Sequence, residues 1–160
     1  MINFSEIDHV PFMKEALKEA EKAGKRGDRP IGAVIVHNGK IISRGSSGNK
    51  TQKSDIAHAE TTAIYGCASY LQEYGRECII YTTVEPCVMC LATAVLANIR
   101  NFVFAVQDKY MNTKTIIDSN PYIKARIHNY VSGILESESI RILKKYTPED
   151  VQILQKGIRQ

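Results

Sequence analysis

Two short stretches hold side chains able to bind a metal and move a proton. The first is DIAHAETTA, residues 55–63, where His58 and Glu60 stand two positions apart among small residues. The second is VEPCVMC, residues 84–90, where Cys87 and Cys90 form a C-x-x-C pair. Cysteines three apart at the start of a helix can aim both sulfurs at one point. Free N–H groups and the positive end of the helix dipole lower a thiol pKa there. Pro86 fits the first turn of such a helix, where its missing N–H costs least. Two thiolates and the neutral nitrogen of His58 make three donors for one Zn2+. A fourth tetrahedral position is then left for water, which is the arrangement of a catalytic zinc. Zinc brings such a water near a neutral pKa. Glu60 is placed to accept its proton and return it to a ring nitrogen and a leaving amine.

Two plainer readings compete. A closed structural zinc would need a fourth protein ligand, and Cys67, Cys78, His37 and His128 are available in principle. A thioredoxin-like redox pair would use only Cys87 and Cys90. Both leave Glu60 without a role, and the redox reading leaves His58 idle as well. Cys67 and Cys78 read as small core residues.

The surrounding pattern indicates which elements must hold these groups. Residues 9–26 repeat apolar positions at helical spacing through Met13, Ala16, Leu17, Ala20 and Ala23. RPIGAVIVHNGKIISRG reads as two strands joined by a hairpin turn at Asn38-Gly39. A polar loop follows, then one helix over 57–72. CIIYTTV reads as a buried strand, CVMCLATAVLANI as a buried helix and NFVFAV as another strand. From Gln107 to Asn120 the periodicity lapses into loop. PYIKARIHN reads as helical, YVSGIL as a short strand, and the tail as one or two helices, with Thr147-Pro148-Glu149-Asp150 as a cap. Strands alternating with helices after an opening hairpin predict one domain over 1–160. Its class is α/β, with three α/β/α layers and a mixed central sheet of about five strands.

Composition narrows the class. The chain has 160 residues, is 44% hydrophobic and 24% charged, and carries a net charge of +4. That suits a soluble domain with a real core. The mild positive balance is compatible with a polyanionic partner without requiring one. The first residues lack the pattern of a signal peptide. No apolar run approaches the roughly 18 residues of a membrane span. Four cysteines in such a chain point to a reducing, cytoplasmic setting.

The joint spacing, H-x-E with a later P-C-x-x-C, is the signature of the zinc deaminases. With RPIGAVIV, AHAE, EPCVMC and FVFAVQD, the chain resembles the cytidine-deaminase-like superfamily. It is most similar to the branch that holds tRNA wobble-adenosine, guanine and cytosine deaminases. The resemblance runs from about residue 10 to 108 and more weakly through GILESESIRIL.

It implies hydrolytic removal of an exocyclic amine from a purine or cytosine-type base or nucleoside, with release of ammonia. The alternatives are deamination of the wobble adenosine in tRNA, or a non-catalytic zinc-bearing subunit. It also implies a homodimer.

Substrate contacts follow only from the resemblance. Backbone N–H groups near Ala59 and Cys87 are expected to steady the intermediate. Asp108 stands where tRNA deaminases place a substrate-contacting Asp. Asp118, 31 positions after Cys87, matches an Asp that guanine deaminases use on the base. Glu85 is either a substrate contact or a charge favouring the helix dipole. Relatives carry Asn eleven residues before the zinc His; here that position is Ser47, with Asn49 two places later. Arg29 stands where relatives have a small or apolar residue. It is either solvated surface or a cap on an anionic or polar end of the substrate. The Gly- and Ser-containing loop after Asp108, and the paired aromatics and basic run of tRNA deaminase tails, are missing.

Overall fold

The computed structural model describes residues 3–158. Its sheet has the order β2-β1-β3-β4-β5. Strands β1 (Gly32–His37) and β2 (Lys40–Ser46) form the expected hairpin. Asn38 and Gly39 both have positive φ, 49° and 72°, the turn that matches the twist of paired strands. Strands β3 (Ile79–Val84), β4 (Asn101–Val106) and β5 (Asn129–Val131) run parallel to one another, while β1 is antiparallel to β3. β1, β3 and β4 are buried along their whole length, so they read as continuous apolar runs.

Side-chain alternation splits the core in two. Ala33, Ile35, Ile80 and Phe102 face one layer, made by α2 (Ala59–Gly66), α3 (Ala68–Tyr74), α4 (Val88–Leu96), α5 (Lys114–Ser119) and α6 (Pro121–Lys124). Val34, Val36, Tyr81 and Val103 face the other, made by α1 (Val10–Lys25), α7 (Glu136–Tyr146) and α8 (Pro148–Lys156). This is the three-layer α/β/α arrangement with a mixed five-stranded sheet that the sequence predicts.

Several boundaries differ from expectation. The helix expected over 57–72 divides at Cys67, whose φ of −138° and ψ of 28° leave the helical region. Gly66, the last residue of α2, lies against the Ser43 side chain of β2 beside this break. The stretch 107–120, expected as loop, contains α5, too short for a periodic signal. α4 is not wholly buried: Cys90, Leu91, Ala94 and Val95 face inward, while Val88 and Leu96 stay exposed. Pro86 lies outside α4, just before its N-cap residue Cys87. Among the described residues no helix is long and apolar enough to cross a membrane.

Two glycines set the helix-to-sheet spacing, one on each face of the sheet. A Cβ on Gly45 of β2 would overlap the Ala59 carbonyl at the start of α2, and one on Gly32 of β1 would overlap the Ala16 carbonyl of α1. Both helices approach the sheet closely because these positions lack side chains.

Candidate active site

His58 occupies the N-cap of α2, in extended conformation (φ −88°, ψ 159°), and Cys87 occupies the N-cap of α4. Local hydrogen bonds hold the imidazole's backbone in place. The His58 N–H donates to the Thr61 hydroxyl (3.2 Å), and the Thr62 hydroxyl donates to the His58 carbonyl (2.8 Å). α2 and α4 lie on the same face of the sheet, so their starts converge. His58 Nδ1 is 3.5 Å from Cys87 Sγ and 3.3 Å from Cys90 Sγ. One donor atom from each residue lies within 4.8 Å of the others. None of Cys67, Cys78, His37 or His128 joins this group among the described residues. The closed four-ligand reading therefore finds no fourth donor here.

The electrostatics of the donors suit a cation. Cys87 is pushed down to about 4, chiefly by the hydrogen bond from the Cys90 thiol and, against the cost of burial, by His58. Cys90 is driven up by the adjacent Cys87 sulfur and by burial, and His58 is raised by its hydrogen bond with Cys87. A divalent ion at this point would stabilise both sulfurs as thiolates and take the neutral form of the imidazole. Glu60 is 4% exposed, and burial pushes its carboxyl up to about 7. A buried carboxyl poised near neutrality is suited to take and give a proton. The Ala59 N–H, first in α2, has no place in the helix ladder and remains a free donor beside it.

His58, Ala59, Glu60 and Cys87 line a cavity of about 510 Å³, enough for a nucleobase with a sugar attached. Ser47, Asn49, Arg29, Glu85 and Asp108 also line it. The Ser47 hydroxyl donates to Asn49 Oδ1 (3.4 Å), which also accepts the Arg29 N–H (3.0 Å). Asn49 thus reaches the cavity although it stands two places late, and its Nδ2 has no hydrogen-bond partner among the described residues. Arg29 is exposed at the rim, with Nε 3.7 Å from Asp150 of α8.

Glu85 lines the cavity and is also tied into the protein. It is 4% exposed, Oε2 accepts the Asp108 N–H (2.9 Å) and Oε1 accepts the Tyr130 hydroxyl (2.8 Å), so both oxygens hold the protein together. Burial raises its pKa, against those two bonds. The Asp108 carboxylate accepts the N–H groups of Tyr110 and Met111, both at 2.9 Å, and shapes its own turn. Asp118 does not reach the site. It lies on α5, exposed, and pairs with Lys114 one helical turn away at 3.3 Å. The chain between β4 and β5 folds as a helix there, and an ungapped match places it wrongly.

The structure also brings in residues that the sequence did not single out. Asp150, Ile153 and Leu154 of α8 cover one side of the cavity, and Tyr110 and Met111 another. The Lys109 N–H donates to the Leu154 carbonyl (3.0 Å), which ties α8 to the loop after β4. The amphipathic pattern of 148–156 signals the helix, but nothing local signals where it docks.

Residues 7–106 match the model of the cytidine and deoxycytidylate deaminase zinc-binding region. The chain belongs to the cytidine and deoxycytidylate deaminase zinc-binding family. As a member of it, the protein is a zinc-dependent hydrolytic deaminase. It is 37% identical over 142 residues to a tRNA-specific adenosine deaminase of Bacillus subtilis, covering 86% of this chain and 88% of that one. A solved structure from work on A-to-I editing by tRNA:A34 deaminases superposes with a TM-score of 0.72 at 36% identity, covering 83% of this chain and 99% of the other. The guanine deaminase of Bacillus subtilis superposes with a TM-score of 0.60 at 32% identity, covering 72% and 79%. Shared deaminase family and shared fold agree with the zinc-dependent deaminase expected from the sequence.

Proposed function

We propose that this chain deaminates adenosine at the wobble position of tRNA, using His58, Cys87 and Cys90 as zinc ligands and Glu60 as proton carrier. The observation that carries the reading is likeness along nearly the whole of a tRNA-specific adenosine deaminase, rather than over the zinc motifs alone. The cavity has room for one nucleoside unit. This narrows the broader expectation of a base or nucleoside deaminase to the alternative held beside it.

When bound, zinc supplies the Lewis acidity that makes a water a competent nucleophile at neutral pH. The chain's own residues do the rest. Glu60 takes one proton from the attacking water and passes it to the ring nitrogen as the new C–O bond forms at the amine-bearing carbon. It then carries the second proton to the amine, the C–N bond breaks, ammonia leaves and the carbonyl product remains. The Ala59 N–H donates to oxygen or nitrogen atoms that gain charge. The Asn49 Nδ2 donates to acceptors on the base or ribose. Arg29, at the rim, pairs with a phosphate when it releases Asp150.

A second reading, deamination of a free purine base, is supported by the likeness to a guanine deaminase. Incubation with tRNA, a matching anticodon stem-loop, and guanine, adenine, cytosine and their nucleosides separates the two. Inosine at the wobble position, with no ammonia from free bases, supports the tRNA reading. Ammonia from a free base with unchanged tRNA overturns it.

The enzyme works as a pair of copies. α2 and α4, which carry the proposed ligands, leave Tyr65 and Leu96 80% and 70% exposed, with Ile56 and Val88 also outside. Burying such side chains against a second copy removes apolar surface from water. Leu96→Glu should convert a dimer to a monomer in light scattering; a wild-type monomer contradicts the pairing.

A further inference from the structure

The end of the sheet away from the cavity carries a charge arrangement that deamination does not use. β3, β4 and β5 are parallel, so their first residues share one edge. Each is preceded by an arginine: Arg76 before Ile79, Arg100 before Asn101, Arg126 before Asn129. Hydrogen bonds fix the three segments together. Asn101 Nδ2 donates to the Arg76 carbonyl (3.4 Å), and the Arg100 carbonyl accepts the N–H groups of His128 (2.9 Å) and Asn129 (3.3 Å).

Arg100 is 6% exposed, and its Nη1 donates to the carbonyls of Val95 and Ile99, which caps the end of α4. Arg126 lies over the ring of Tyr122, 3.5 Å from its centre, and that ring is 49% exposed. Among the described residues, no carboxylate forms an ion pair with any of the three arginines. Burial, and then the neighbouring Arg76 and Arg126, hold Arg100 below its ordinary value. Strand order places Arg76 and Arg126 on either side of it, before β3 and β5. Such a grouping is unfavourable alone and becomes favourable when an anion shares it.

We propose that Arg76 and Arg126, on either side of the buried Arg100, form a phosphate-binding site for the RNA backbone, at the end of the sheet opposite the deaminase cavity. The identification of the ligand as RNA rests on the tRNA reading above. Guanidinium forks match phosphate oxygens, and an exposed tyrosine stacked with arginine offers a face to an unpaired base. A six-residue strand spans about 20 Å. One RNA arm can therefore touch this edge while its target base enters the cavity.

The test is fluorescence anisotropy of zinc-loaded wild type and an Arg76→Gln, Arg126→Gln double variant with labelled tRNA, across a salt series. Arg100 is left in place because it caps α4, and melting curves and zinc content establish that the variant is folded. The expected result is a Kd raised about tenfold, with a salt slope reduced by between about 1 and 2 for two lost phosphate contacts. An unchanged Kd and slope, or a wild type that does not bind tRNA, overturns the proposal. Inorganic tripolyphosphate is titrated in parallel; weakened tripolyphosphate binding with unchanged tRNA affinity assigns the site to a free anion and also overturns it. Wild-type protein that binds tRNA through these arginines without forming inosine keeps this site and removes the wobble reading.

Discussion

Tyr130 of β5 donates its phenolic hydrogen to Glu85 Oε1 at 2.8 Å, joining the last strand of the sheet to the residue two before the Cys87 thiol. Tyr130→Phe leaves that oxygen without a donor in a side chain 4% exposed. An unmet buried acceptor costs about 1–3 kcal/mol. Urea unfolding should show a loss of that size, while Tyr130→Phe with wild-type stability would mean that water replaces the hydroxyl.

Gly45→Ala should act on the metal donors from a distance. The added methyl meets the Ala59 carbonyl and pushes the start of α2, with His58, away from the two cysteines. Zinc content after dialysis against a weak chelator should fall well below that of wild type. Full retention would show that α2 moves without dragging the imidazole.

Asp28 ties the loop of Asn49 to the entry of β1. It accepts the N–H groups of Lys50 (2.8 Å) and Thr51 (2.9 Å), the Thr51 hydroxyl (2.9 Å) and Arg26 Nε (3.3 Å). Burial pushes its pKa up, and these hydrogen bonds, led by those from Thr51, outweigh it and leave the value below 3.8. Because the folded value is depressed, the stabilisation is complete above 3.8 and is lost as pH falls through the folded value. Asp28→Asn should therefore be less stable than wild type near neutrality, with the gap narrowing in acid. A gap that stays constant down to about pH 2 would remove Asp28 from the acid response.

Glu60→Gln keeps size and burial but cannot carry a proton. Zinc should remain at one per chain, while deamination falls by about 10²–10⁴. Loss of zinc in this variant would make Glu60 part of the metal's support instead.

The grouping of His58, Cys87 and Cys90 around one point, with Glu60 buried in the same cavity, was legible because each motif is local: three or four consecutive positions at helix starts fix the geometry. The strands of the core were legible for a related reason, since burial on both faces leaves an unbroken apolar run. Other features depend on distant packing. The break at Cys67 has no local signal in the residue pattern, and the displacement of Asp118 follows from a six-residue helix without a usable period. Asp150 and Leu154 reach the cavity because α8 docks beside the loop after β4. The role of Glu85 needed Tyr130, 45 residues away, to be seen.

X-ray absorption at the zinc edge of the purified protein reads the donors of the metal themselves. One zinc per chain is expected, bound by two sulfurs at about 2.3 Å and by one imidazole nitrogen and one light solvent atom at about 2.0–2.1 Å. Cys87→Ser and Cys90→Ser should each remove one sulfur from that shell. A third sulfur, a second imidazole, or a sulfur count unchanged in both variants would contradict it.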